Sequence, residues 1–364
     1  MSLRGAVITI AALGLVVGGW LFFYRQPAND VATVETHDQT VPIVEAPVDE
    51  KLADFFVLTN VGTFALPHGT YRPELLAATD GTFYVVVVEP KGESRHWAYH
   101  YDADWKLIGQ PFAVSAITEE YGESADHRAM LFGDELVVIY QSRGASDQSL
   151  ILARFTLDGQ LVKRLPIIAN AANGTGEDFS EPAITWFNNH ITITTGTGEQ
   201  KLKIRQIDVD GNVVSTEVYP VAAGSAVSNE IGNSLFVDAN GNLNLVSGNE
   251  PTSTESLVIT TFDSLGEISA SLRLPTNGRE ETFPADNTGA SGYEFIAYIS
   301  GVDPYLKILD AESHVLADVQ IGQGGFMYVH PTVAVSGGHV FVAWSKNVDG
   351  QSQVQIEELT IASD

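Results

Sequence analysis

The chain is predicted to be all-β: a six-bladed β-propeller, its ring closed by an N-terminal strand and preceded by a single N-terminal transmembrane helix. Three observations predict it. A hairpin recurs six times at nearly even spacing, a second hairpin follows five of those six, and an uncharged run of twenty residues stands near the start. The recurring hairpins are Leu75–Val88, Ala129–Tyr140, Ala183–Thr195, Ser234–Ser247, Ala290–Ser300 and Thr332–Ser345. They turn at Asp80-Gly81, Gly133-Asp134, Asn188-Asn189, Asn240-Gly241, Ser291-Gly292 and Gly337-Gly338. The second turn residues lie 53, 55, 52, 51 and 46 positions apart. A period near 50 built from alternating strands is a propeller's sequence signature.

The second hairpins are Trp97–Val114, Leu150–Ile168, Leu202–Val221, Leu257–Leu274 and Tyr305–Ile321, with turns such as Asp158-Gly159 and Asp210-Gly211. Asp-Gly and its relatives supply the positive φ of a tight hairpin. Four strands make one blade. The sixth unit has only Gln353–Ile361 as a third strand before the chain ends at Asp364, so Phe55–Leu66 is expected to pair with it and close the ring. Closure removes exposed strand edges. Asp208–Gly211 and Asp238–Gly241 look like calcium-loop openings but lack the remaining oxygen ligands and flanking helices, so both read as turns.

Residues 1–25 are expected to be a transmembrane anchor, because Gly5–Tyr24 carries no charge and as a helix spans roughly 30 Å. Trp20, Phe22, Phe23 and Tyr24 stand where an aromatic belt meets the interface. A cleaved signal peptide is the rival reading, but its apolar core is shorter and no Ala-x-Ala site follows. The flanking charges place the N-terminus inside and the C-terminal domain extracytoplasmic, in the periplasm or at the cell surface. Gly14 and Gly18 form a GxxxG through which two helices can form a weak homodimer. Residues 26–50 read as an acidic, Pro-containing linker without strands, extended and solvated. Residues 51–364 are the propeller.

Composition excludes several functions. With 46 acidic and 19 basic residues the net charge is −27, a field that repels nucleic acid and anionic lipid headgroups. The absence of cysteine removes disulfides, thiolate metal sites, thiol catalysis and a lipidated-Cys anchor. There is no nucleotide-binding glycine loop, GxSxG elbow or HExxH.

Chemistry is expected where the innermost strands begin, at one mouth of the central channel. The lead-in segments are Tyr71-Arg72-Pro73-Glu74, Asp126-His127-Arg128, Ser180-Glu181-Pro182, Ser228-Asn229-Glu230, Thr282-Phe283-Pro284 with Asp286, and Tyr328-Val329-His330-Pro331. Proline suits a strand's first residue because it donates no ladder hydrogen bond. The ligand-binding candidates are therefore Arg72, Glu74, His127, Arg128, Glu181, Glu230, Asp286, Tyr328 and His330. The long connections Ser115–Asp126, Ala169–Ser180 and Pro275–Phe283 lead to the same face. The opposing expectation is that these charges pair and hold neighbouring blades together. No metal or other cofactor is assigned, and His68, His96, His100, His190, His314 and His339 read as surface residues.

The closing unit, His330-Pro331 through Trp344-Ser345, resembles the repeats of sialidase-like (BNR-type) six-bladed propellers. Tyr71-Arg72-Pro73-Glu74, followed by Asp80-Gly81-Thr82, resembles the sialidase start, where Tyr/Phe-Arg-Ile-Pro carries the first arginine of a carboxylate-binding triad. The resemblance implies this fold for Lys51–Asp364. It would also require Arg72, Arg128 and Arg279 as the triad, and Tyr328 as nucleophile beside Glu281 or Glu230. However, no Ser-x-Asp-x-Gly-x-Thr-Trp box occurs, and the Ile of the arginine motif is missing. The expected function is thus a non-catalytic protein- or glycan-binding module on a membrane anchor. The alternatives are a scaffold component of an envelope complex and a divergent sialidase-like, glycan-active hydrolase or lyase.

Overall fold

The structure is a computed structural model. It describes residues 33–37, 41–48, 56–68, 70–89, 95–115, 126–143, 147–172, 178–197, 201–220, 232–249, 256–276, 278, 281–288, 292–324, 330–349 and 351–361 of the 364. The expected anchor, with Gly14 and Gly18, lies outside them. Among the described residues, no helix is long and apolar enough to cross a membrane.

The described strands form six antiparallel blades, each wound from the channel outward. Their inner strands are Tyr71–Ala77, His127–Phe132, Asp178–Phe187, Asn233–Val237, Glu281–Thr288 and Thr332–Ser336. The second strands are almost wholly apolar and buried, as in Phe83–Val88 and Glu294–Ser300. Both faces of each sheet are covered by a neighbouring sheet, so no polar face is kept. The six apolar clusters sit at the six seams. One joins Leu75 and Phe83 of blade 1 to Phe341 and Ile356 of blade 6, and another joins Ile308 of blade 5 to Trp344 of blade 6. Tyrosine hydroxyls bridge two of the seams: Tyr84 donates to the Leu157 carbonyl at 2.7 Å and Tyr219 to the Gly266 carbonyl at 2.5 Å.

The outer turns repeat one geometry. In Asp208–Asn212, the amide of Gly211 donates to the Asp208 carbonyl, and the amide and side chain of Asn212 donate to the two Asp208 carboxylate oxygens. The fourth residue takes positive φ at Gly211 (87°), Gly159 (86°) and Gly266 (79°), and also at Trp105 (60°) and Ser313 (65°). This is a type I turn with a G1 bulge. It accounts for the calcium-like spellings, because the Asp208 carboxylate is used within its own turn.

The sixth blade takes its outer strand from the other end of the chain. Phe56–Phe64 lies antiparallel to Gln351–Ile361, with Phe64 opposite Val354 and Phe56 opposite Ile361. In blade 5, Lys307 is fully buried. Its ammonium donates to Glu281 at 3.0 Å, Asp318 at 2.7 Å and the Tyr298 hydroxyl at 3.1 Å. Glu281, considered above as a partner for Tyr328, is thereby committed to the blade.

The linker reading is corrected. Thr33–Thr36 is a strand, paired parallel to the outer strand Val213–Pro220 of blade 3. Val44–Glu45 pairs parallel to Ile268–Arg273 of blade 4, where Glu45 meets Arg273 at 3.0 Å. Val48 bridges to Val315 of blade 5. The segment is a strap over three outer edges. It is held by main-chain hydrogen bonds, while Val34, Val44 and Val48 point to solvent, which is why no hydrophobic alternation marked it. Ala169–Ser180 is also mostly strand, taken up by Leu161–Ala172 and Asp178–Phe187.

Trp344 fills the seam between blades 5 and 6, and a Cβ on Gly322 would collide with its ring. Trp344→Ala is expected to cost about 3–5 kcal/mol, and Gly322→Ala about 1–3 kcal/mol through overpacking. Equilibrium urea unfolding measures both.

Candidate functional site

Five of the nine candidate residues come together where the inner strands begin: Arg72, Glu74, His127, Arg128 and His330. Glu181 and Asp286 lie within the inner strands of blades 3 and 5. Glu230 and Tyr328, with Arg279, lie outside the described residues.

The Arg-Pro and Phe-Pro lead-ins explain how side chains are presented. Strand register slips between Tyr71 and Glu74 in blade 1 and between Thr282 and Ala285 in blade 5, on either side of Arg72-Pro73 and Phe283-Pro284. A bulge re-aims the side chains beside it. Arg72 has φ 50° and His330 has φ 38°. Both are left-handed conformers at non-glycine residues directly before proline, a combination that is sterically costly and is retained mainly at functional sites.

Arg128 organises the site. Its Nη1 donates to Glu74 of blade 1 at 3.1 Å, and its Nη2 reaches the main-chain carbonyls of Asn233 in blade 4, at 3.5 Å, and Pro284 in blade 5, at 3.3 Å. One guanidinium from blade 2 therefore spans the bore. Arg72 forms an ion pair with Asp126, joining blades 1 and 2 a second time. Both carboxylates are at most 12% exposed. Burial raises the Glu74 carboxyl above the usual range, and the neighbouring Arg128 charge only partly opposes it.

His127 and His330 are buried beside these cations. Desolvation, then the charges of His96, Arg128 and Arg72, hold His127 well below the ordinary imidazole range. His330 is held there by desolvation, Arg72, Arg128 and His127. Both are neutral at pH 7. His96, expected at the surface, is instead fully buried, with its ring 5.0 Å from those of both His127 and Tyr140. Its place in His96-Trp97-Ala98-Tyr99, one residue before a half-exposed Trp97, was the available signal. The carbonyls of Asn233 and Pro284 had none, because every residue carries one.

Beyond the Arg128–Glu74 bridge, a cavity of about 380 Å³ follows the inner strands. The charged pair lies at one end, and Met130, Ile184, Trp186, Phe236 and Val333 are among the residues that line the rest. Trp186 stacks on Phe132 with ring centres 3.8 Å apart. Most of the surface it exposes is polar, because Ile184, Phe236 and Val333 belong to the apolar clusters of the seams.

The buried imidazoles set a pH dependence. A histidine whose folded value lies below its unfolded 6.5 favours folding above that pH and loses this advantage as pH falls toward the folded value. His127 and His330 each are expected to remove about 1.4 kcal/mol of stability per pH unit below 6.5. Glu74, raised, acts in the opposite sense: its contribution is present below pH 4.5 and declines as pH rises from there. Urea midpoints at pH 7.0 and 5.5 should show the loss, and His127→Gln with His330→Gln should flatten it.

No protein-family model matches the chain, and no curated protein matches it in sequence. Solved structures do match. The PQQ-bound aldose sugar dehydrogenase of Streptomyces coelicolor superimposes with a TM-score of 0.52 at 14% identity, over 86% of this chain and 100% of that one. Trypanosoma rangeli sialidase with 2,3-difluorosialic acid does so with a TM-score of 0.52 at 9% identity, over 87% of this chain and 59% of the sialidase. At these identities the likeness is one of fold: the chain is a six-bladed β-propeller similar in architecture to sialidases and to a sugar dehydrogenase.

Proposed function

We propose that the protein is a non-catalytic binding module that takes the end of a glycan into its bore. One observation carries this reading. Two carboxylates at the mouth are already ion-paired, Glu74 with Arg128 and Asp126 with Arg72, and the imidazoles of His127 and His330 are neutral and buried. Acid–base or nucleophilic catalysis needs a carboxylate or imidazole placed to meet substrate, whereas these groups are spent on one another. The aromatic wall at Trp186 and the polar floor at Arg128 and Glu74 suit a ligand with both apolar and hydroxyl faces. Sugars are the first class to test, because the two similar folds are named as a sugar dehydrogenase and a sialidase. In this reading the Phe56–Phe64 pairing is the clasp that closes the ring, and Gly5–Tyr24 tethers the propeller outside the cytoplasm.

A glycan array and a glycosidase panel with the full chain test the proposal. Saturable binding without turnover is expected, weakened about tenfold or more by Trp186→Ala, a loss typical of a buried aromatic anchor. Turnover abolished by Glu74→Gln would make the protein an enzyme and overturn the proposal. Capture of an envelope protein by a propeller that binds no glycan would instead favour a scaffold role. For the tether, Met1 should be retained in the membrane fraction; a mature N-terminus near residue 29 would contradict it.

A further inference from the structure

A second group of ligand-type side chains lies away from the bore, at the outer rim where the strap crosses from blade 3 toward blade 4. We propose that Glu35 and His37 of the strap and Glu217 of blade 3 bind a first-row divalent cation such as Zn²⁺, which fastens the N-terminal segment to the rim. One ligand atom from each residue lies within 4.8 Å of the other two. A tetrahedral site with bonds near 2.0–2.2 Å places donors about 3.3 Å apart, so small side-chain rotations close the set. A mixed imidazole and carboxylate donor set selects zinc, cobalt or nickel over calcium and magnesium.

The surroundings of His37 point the same way. Its Nε2 faces Glu217 at 2.7 Å, while Nδ1 stands 3.3 Å from Glu267 of blade 4. A carboxylate on the far ring nitrogen is the usual device that fixes the tautomer of a metal-binding histidine. The ring is only 6% exposed and lies flat on Tyr219, with centroids 4.8 Å apart and planes 8° apart. The His37 amide donates to the Val218 carbonyl at 3.0 Å, which sets the ring's position along the strand. The second carboxylate oxygen of Glu267 is buried and has no hydrogen-bond partner among the described residues.

Charge balance is the third argument. Glu35, Glu217 and Glu267 all gather about the one imidazole of His37. Among the described residues no lysine or arginine pairs with any of them. A bound dication would neutralise this excess. Glu35 is exposed and gives the cation a route from solvent, and a water completes the coordination.

Co²⁺ titration of the EDTA-treated full chain tests the inference. One equivalent should bind, with the visible absorption of a low-coordinate cobalt site, and Zn²⁺ should displace it. Glu35→Gln and His37→Gln should each weaken binding more than about tenfold. Glu267→Gln, which acts only by positioning His37, should weaken it about 10- to 100-fold and shift the cobalt bands. Saturating metal should also slow proteolysis between the strap and the first blade. Should His37→Gln not fold, the exposed Glu35→Gln carries the test. No saturable binding, or equal binding by wild type and variants, would overturn the proposal and leave His37 as a partner in ion pairs alone.

Discussion

The centre of this ring rests on one buried cation. Six separate sheets meet around a bore, where their inner strands have no main-chain partner across the axis. Arg128 supplies the missing link, bonding Glu74 in one neighbour and the carbonyls of Asn233 and Pro284 across the channel. A guanidinium fits this task because its planar fork offers five donors and stays charged when buried. Stranding either partner alone inside the protein is costly, which makes the pair a constraint on how the blades are arranged as well as a source of stability.

The same constraint shapes the site. The bridge lines one end of the cavity along the inner strands with a charged pair. On its other side, Arg72 and His330 hold strained conformations before proline, placing a cation and a neutral imidazole at the mouth. Arg72 and Arg128 are each matched by a carboxylate, Asp126 and Glu74. In the proposed binding role such a surface would recognise polar groups by hydrogen bonding, with specificity coming from satisfying buried donors and acceptors.

Much of this was legible in the sequence, and the boundary is physical. The turns were readable because Asp-Gly, Asn-Asn and Gly-Gly spell positive φ directly. The lead-in residues were readable because X-Pro marks where an inner strand begins. The strap was not, since strands that add to a sheet edge through main-chain bonds need no apolar pattern, and Thr33–Thr36 is exposed throughout. Nor could spacing show that His37 meets Glu217 and Glu267, 180 and 230 residues away. Nothing in the sequence around Lys307 distinguishes it from an exposed lysine; its three partners in blade 5 identify a buried ionic knot.

Strap and bore divide the protein's polar work between rim and axis. At the rim, Glu35, Glu217 and Glu267 gather about one imidazole; at the axis, Arg72 and Arg128 are each paired with a carboxylate. The claim that the bridge organises the ring is tested most directly by a double-mutant cycle on Glu74→Gln and Arg128→Met, read by equilibrium unfolding. The account predicts a coupling energy of at least about 2 kcal/mol, within the range seen for groups in one buried network. Additivity within about 0.5 kcal/mol would contradict it.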